Sequence, residues 1–290
     1  MTDNVQSPRQ EDVAQVLINI VIPPCPKIVV ALVEEGRAED PDLIKLDKLI
    51  SGDVGIASAL IKTANSPYYG LNRKVDAVKQ AIIILGIRSV TNIVTMLALQ
   101  KALAVPSGTL DRFWDRSHYH AIACARLARH LRFISTDGAY TFGLFNDCGI
   151  PILIQRFADY KETLRIANTA EQPFVAVENE RHNTNHALVG SFLAHSWHLP
   201  EIICDAIRDH HVMEPLYDLT AEARGDIAAL AAISLIADFL VNDFLGAKQE
   251  SEWDLHGAQA MKFLGFDEEE LAEIKIDIND DLEAARAYRL

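Results

Sequence analysis

Thr141-Phe-Gly-Leu-Phe-Asn-Asp-Cys-Gly-Ile150 sets an amide and a carboxylate, Asn146 and Asp147, into what otherwise reads as the end of an apolar helix. A carboxylate moved out of water is costly unless a cation or hydrogen-bond donors meet it. Asp147 is therefore either exposed or partnered. Its neighbours Phe142, Leu144, Phe145, Ile150 and Ile152 belong to a core-facing segment, and Gly149-Ile-Pro151 supplies a helix stop just after it. A partnered Asp147 is the better reading, and the rest of the chain has to supply the partner.

Helical periodicity surrounds this stretch. Val13/Val16/Leu17/Ile20, Leu43/Leu46/Leu49/Ile50, Ile56/Ala59/Leu60 and Ile93/Val94/Leu97/Ala98 repeat at three- and four-residue intervals, and no sustained alternation of period two occurs. These patterns predict an all-α fold of roughly a dozen or more short helices. Pro106-Ser-Gly108 follows a long helix expected over about Val90 to Ala104, which places a lobe boundary near residue 106. The expected organisation is an N-terminal extension (1–20), a first helical lobe (21–105), a second lobe (106–246) and acidic C-terminal surface helices (247–290).

Composition narrows the function classes. The 290 residues are 49% hydrophobic and 23% charged, an ordinary globular balance, and the formal net charge of −14 argues against nucleic acid or an anionic membrane held by a broad basic surface. Leu85-Gly-Ile-Arg-Ser-Val-Thr-Asn92 has the look of a helix-turn-helix corner but lacks a basic recognition helix. Cys25, Cys124, Cys148 and Cys204 show no Cys-x-x-Cys spacing and read as reduced thiols of a cytoplasmic protein. The polar start MTDNVQSPRQED has no export signal, and the apolar run 227–241 is short and interrupted by Asp238, so no spanning helix is expected.

Further polar groups sit where apolar faces belong. His186 shares a stripe with Gly190, Leu193 and Trp197, which turns it inward. His210 and His211 close the apolar helix PEIICDAIRDHH (200–211), and Asp238 with Ser234 interrupts IAALAAISLIADFLV (227–241). A single inward histidine is more often a hydrogen-bonded core residue than a ligand. Histidines and carboxylates together in apolar surroundings are what a divalent metal needs, and Asp147, His186, His210, His211 and Asp238 form such a set.

The order of these elements resembles the HDOD family, a signalling offshoot of the HD-type metal phosphohydrolases, from about Ile20 to about Val241. The first lobe carries Ile22-Pro-Pro-Cys-Pro26, Leu49-Ile-Ser-Gly-Asp53, Leu60-Ile-Lys-Thr-Ala-Asn-Ser-Pro-Tyr-Tyr-Gly70 and Val78-Lys-Gln-Ala-Ile-Ile-Ile-Leu-Gly86. In the second lobe Phe113-Trp-Asp-Arg-Ser117 matches the first-histidine segment with Arg116 in the histidine's place. Gly143-Leu-Phe-Asn-Asp-Cys-Gly149 matches the paired His-Asp segment with Asn146 for histidine and Asp147 kept. His186, His210, His211 and Asp238 align with the later metal positions.

The departures matter chemically. An arginine cannot coordinate, repels a dication and attracts carboxylates, so Arg116 is the expected partner of both Asp147 and Asp238. His120, one turn beyond Arg116, is a possible replacement ligand. The Gly-Tyr-Pro segment of the cyclic-di-GMP phosphodiesterase branch is replaced by Val212-Met-Glu-Pro-Leu-Tyr217, and the lysine often found after the final aspartate by Asn242. The resemblance therefore implies a non-catalytic bacterial signalling module with a degenerate metal site. It is expected to act through protein partners in two-component or cyclic-dinucleotide circuits. No cofactor is expected; iron, manganese or zinc is the class if one binds, and a residual metal-dependent phosphohydrolase is the alternative. Tyr68 and Tyr69 are the candidate partner-binding residues, since the adjoining Asn65, Pro67 and Gly70 have local turn-forming reasons to be there and the tyrosines have none.

Overall fold

The computed structural model describes residues 20–65, 73–103, 110–131, 133–169, 172–217, 225–249 and 251–287. Tyr68, Tyr69, nearly all of the N-terminal extension and the Pro106-Ser-Gly108 break lie outside them. The described residues are helical, with no strand among them. In order the helices are α1 (Lys27–Arg37), α2 (Leu43–Ser51), α3 (Val54–Ala64), α4 (Val78–Ala102), α5 (Asp111–Leu131), α6 (Thr136–Phe145), α7 (Gly149–Arg156), α8 (Tyr160–Ala167), α9 (Phe174–His182), α10 (His186–Ser196), α11 (Glu201–Asp209), α12 (Gly225–Leu245), α13 (Ser251–Leu264) and α14 (Glu268–Arg286). A short 3₁₀ turn, Glu214–Tyr217, follows α11.

Short polar side chains start many of these helices by accepting from otherwise unpaired backbone N–H groups. Asp42 caps α2, Asp53 caps α3, Ser135 caps α6 and Asn185 caps α10. Asp267 and Glu270 form a reciprocal capping box at α14. Asn65 ends α3, and its side-chain amide donates to Val75 O at 2.7 Å and accepts from Val75 N at 2.7 Å, fastening the two ends of the intervening chain together.

Two sequence expectations are corrected, and the acidic tail is refined. The long helix begins at Val78, twelve residues before the expected start, and is broken at Gly86 (φ 77°, ψ 162°), a conformation open to glycine and strained for other residues. The acidic tail, expected as one or two surface helices, is the helix α14, with Leu271, Ile274, Ile278 and Leu282 buried and Arg126 of α5 paired with Asp281. α12 extends to 21 residues. It and α4 are long and apolar enough to cross a membrane by length and composition, and the most apolar window of α12 is 72% buried among the other helices.

Two close helix contacts position the site. Gly143 of α6 lies against α5, where an added Cβ would come within 2.9 Å of Ala121 Cα and 2.8 Å of Cys124 Sγ. Gly149, at the start of α7, is tighter still: an added Cβ would lie 2.1 Å from His186 O and 2.9 Å from Gly190 N. Gly149 and Pro151 are therefore not the stop of the preceding helix. α6 ends at Phe145, the chain turns through 146–148, and Gly149 opens the next helix in backbone contact with α10.

Candidate functional site

The turn after α6 delivers Asp147, the start of α10 delivers His186, and the end of α11 delivers His210 and His211. The three imidazoles converge: Nε2 of His186 is 3.4 Å from Nε2 of His210 and 3.1 Å from Nε2 of His211. Asp147 Oδ1 lies 3.3 Å from His186 Nε2 and 3.9 Å from His210 Nε2. Four of the five residues expected to form a metal set are thus brought together.

The opposite ring nitrogens fix the tautomers. His186 Nδ1 is 2.7 Å from Glu178 Oε2, His210 Nδ1 is 2.7 Å from Ile207 O, and His211 Nδ1 is 2.8 Å from Glu252 Oε2. Carboxylates and carbonyls accept, so each Nδ1 carries the proton and donates. With neutral rings, three Nε2 lone pairs and a carboxylate oxygen would then face one another at close range. Such an arrangement needs positive charge at its centre, either protons on the rings or a metal ion.

The electrostatics show how protons fill that role. Burial alone would lower the pKa of His186, but the Glu178 and Asp147 carboxylates override it and raise it to about 10. His211 is likewise raised against burial, by Glu252. His210 is pushed well below its ordinary value by burial and by the two neighbouring imidazoles. Asp147 is held below the carboxylate range, with burial outweighed by His186, His210 and Arg116.

A divalent transition metal fits the same donors. Bonds of about 2.0–2.1 Å in a tetrahedron place neighbouring ligand atoms about 3.3 Å apart; the four contacts given above run from 3.1 to 3.9 Å, and the three imidazoles alone form a group whose ligand nitrogens all lie within 4.8 Å of one another, with Asp147 at its edge. Each ligand imidazole also has the outer hydrogen bond from Nδ1 that orients metal-binding histidines. The donor set of three nitrogens and one oxygen suits zinc, iron or manganese. It suits one ion, because the other half of the site is occupied differently.

That half belongs to Arg116. α5 and α12 run antiparallel here, and Arg116 Nη2 donates to Asp238 Oδ1 at 2.7 Å while Nη1 donates to Asn242. The expected pairing of Arg116 with Asp238 is present. Its expected direct pairing with Asp147 is not: Asp147 is bonded to His186, and Arg116 acts on it through charge alone. Asn242, where a lysine was the comparison, serves as the second acceptor for the guanidinium.

His120 is turned toward Gly143 and Ser234 and is not brought to the three imidazoles. It is buried, with Nδ1 3.1 Å from Gly143 O and Nε2 3.3 Å from both Ser234 O and Ser234 Oγ, and Asp238 Oδ1 lies beyond at 3.6 Å. It is a hydrogen-bonded core histidine clamping α5 to α6 and α12. Asn146 is also buried, and it stays outside the cavity wall.

A cavity of about 610 Å³ opens over the imidazoles. Phe113, Ile150, Ile154, Leu164 and Phe174 give it apolar walls, and Lys161 and Lys248 join Arg116 in lining it. Sequence reasoning missed these lysines and the two anchoring carboxylates. Glu178 is fully buried and also receives the Tyr160 hydroxyl, while Glu252 is 6% exposed. The position of Glu178 one turn after Phe174 and beside Val177 was the available sign, of the same kind that singled out Asp147.

Residues 22–213 match the model of the HDOD domain. An HDOD domain protein of unknown function from Geobacter sulfurreducens superposes with a TM-score of 0.74 at 22% identity, covering 97% of this chain and 98% of that one. A candidate phosphohydrolase from Shewanella amazonensis SB2B gives 0.73 at 19% identity, covering 97% and 99%. An uncharacterized protein of Treponema pallidum (strain Nichols) is 26% identical over 193 residues, which are 64% of this chain and 37% of that relative's length. The chain spans little more than a third of this curated relative. The structural likenesses bear on fold, the family match covers most of the chain, and on that match this protein belongs to the HDOD family.

Proposed function

We propose that the protein is a non-catalytic regulatory module of bacterial signal transduction, cytoplasmic, in which the HD-type pocket holds at most one transition-metal ion. The observation that carries this reading is Arg116 clamped on Asp238 and Asn242. A free carboxylate would serve as general base toward water, and among the described residues Asp147 and Asp238 are the carboxylates that line the cavity. Asp238 is neutralised by the guanidinium and Asp147 is committed to His186. The residues that would hold the ion are His186, His210, His211 and Asp147, and an ion there would supply Lewis acidity toward a bound oxyanion. Arg116, Lys161 and Lys248 would orient such an anion without reacting with it.

A signalling role accords with the name of one structural relative, a candidate signal transduction protein from Marinobacter aquaeolei VT8 (TM-score 0.67, 21% identity), of which this chain covers 62%. A second reading, a residual single-metal phosphohydrolase, is favoured by the three-imidazole convergence and the lining lysines. Turnover of p-nitrophenyl phosphate and bis-p-nitrophenyl phosphate with zinc, manganese and iron(II) separates the two. The regulatory reading expects no metal-dependent turnover above buffer. Turnover that disappears in His186→Ala would establish the enzyme reading instead.

A further inference from the structure

A second cavity, about 590 Å³, lies away from the imidazoles, between α1 and α4 on one side and the beginnings of α6, α11 and α12 on the other. Its volume is in the range that small organic ligands occupy, roughly 300–1,000 Å³. The walls include Val33, Ile87, Ile134 and Leu199, with two solvent-exposed large apolar residues, Phe133 (60% exposed) and Ile202 (38% exposed). Exposed apolar side chains scattered singly need no explanation, but gathered on a concave surface they favour an apolar occupant.

Charge and polarity narrow the occupant further. Arg37, Arg88, Asp137 and Asp226 line the cleft, and Arg88 is 3.3 Å from Asp137. Two positive and two negative groups leave no net charge to select an ion. The polar strip Thr91, Asn92 and Thr95 on α4 includes the Thr91 hydroxyl, which is buried and has no hydrogen-bond partner among the described residues. A buried polar atom without a partner calls for a missing one.

We propose that this cleft is a binding site for an uncharged, mostly apolar small organic molecule carrying one hydrogen-bonding group. This assignment is independent of whether the imidazole pocket holds metal. The probe is N-phenyl-1-naphthylamine, a neutral naphthalene with one N–H, whose fluorescence rises on transfer from water. Two glycines lining the cleft provide filling variants: a Cβ at Gly36 would meet Ile87 Cγ2 at 3.6 Å, and one at Gly138 would meet Ser135 Cβ at 3.4 Å and Ile203 Cδ1 at 3.9 Å. All three neighbours also line the cleft.

The expected result is one saturable site per chain, weakened at least tenfold in both Gly36→Leu and Gly138→Leu. Hydrogen exchange on the unmodified protein serves where a variant does not fold. The probe should slow exchange within 87–95, 136–141 and 199–203, the segments that wall the cleft. Absence of saturable binding, unchanged binding in both filled variants, or protection confined to other segments would each overturn the assignment.

Discussion

Zinc titrated into metal-free protein should displace protons, and the number follows from the site. At pH 7 His186, with its pKa raised to about 10, carries a proton on Nε2, and the raised His211 shares in the second. Coordination requires both lone pairs, so each ion bound should release between about one and about two protons, and the logarithm of the affinity should climb with pH at that slope. Calorimetry in two buffers of different ionisation enthalpy reads the number directly. The stability effect has a definite sign. The raised pKa of His186 contributes stability that is complete below its ordinary value of 6.5 and is lost as pH rises through about 10. Metal therefore takes over as the protons leave, and its effect is larger at pH 8 than at pH 6. At free zinc a hundredfold above Kd the gain is about 2.7 kcal/mol, which for a chain of this size raises Tm by roughly 5 °C. His186→Ala should abolish the shift. Saturable binding with no proton release would show that the imidazoles are not the ligands, and no binding at pH 8 would refute the single-ion site.

Arg116→Met should cost about 2–3 kcal/mol in denaturant unfolding by leaving Asp238 unpaired, the partial exposure of both side chains placing it at or below the lower end for buried pairs. Adding Asp238→Asn should recover more than half of that loss, and a cycle showing no coupling would remove the ion pair from the account. Gly149→Ala has to move a Cβ away from His186 O, from 2.1 Å to ordinary contact, and should destabilise by about 3 kcal/mol while weakening zinc binding at least tenfold. Glu178→Gln keeps the shape but removes the charge behind His186; zinc affinity should fall about 10–100-fold, and proton release should fall with it because the His186 pKa drops.

Much of this site is legible in the sequence. Asp147, His186, His210 and Asp238 each interrupt an apolar stripe, and local periodicity is enough to turn such residues inward and mark them as needing partners. Which partner each one finds is a different question, because it depends on how distant helices cross. Arg116 was visible as a cation for two carboxylates, yet helix geometry gives it Asp238 and Asn242 and leaves Asp147 to an imidazole. His120 was singled out by its place one turn beyond Arg116, a local relation, whereas the α5–α6 contact at Gly143 puts a carbonyl against its ring. Glu178 and Glu252 were missed because they arrive on α9 and α13, and no spacing rule connects those helices to the histidines they hold. Gly149 was read as punctuation, a local property, when its importance is a contact with residues about forty positions away.

That contact has a consequence for how such proteins change over time. Where Gly149 rests on α10, main chain touches main chain, and the outline of the pocket is written in backbone rather than in the residues that fill it. Side chains that face the cavity can be exchanged one at a time while the helices stay where they are. A lineage built on this contact is free to abandon a reaction and keep its silhouette. Overlaying pocket shapes will then rank a silent member beside a working one, and only the inventory of lone pairs and charges facing the cavity tells them apart.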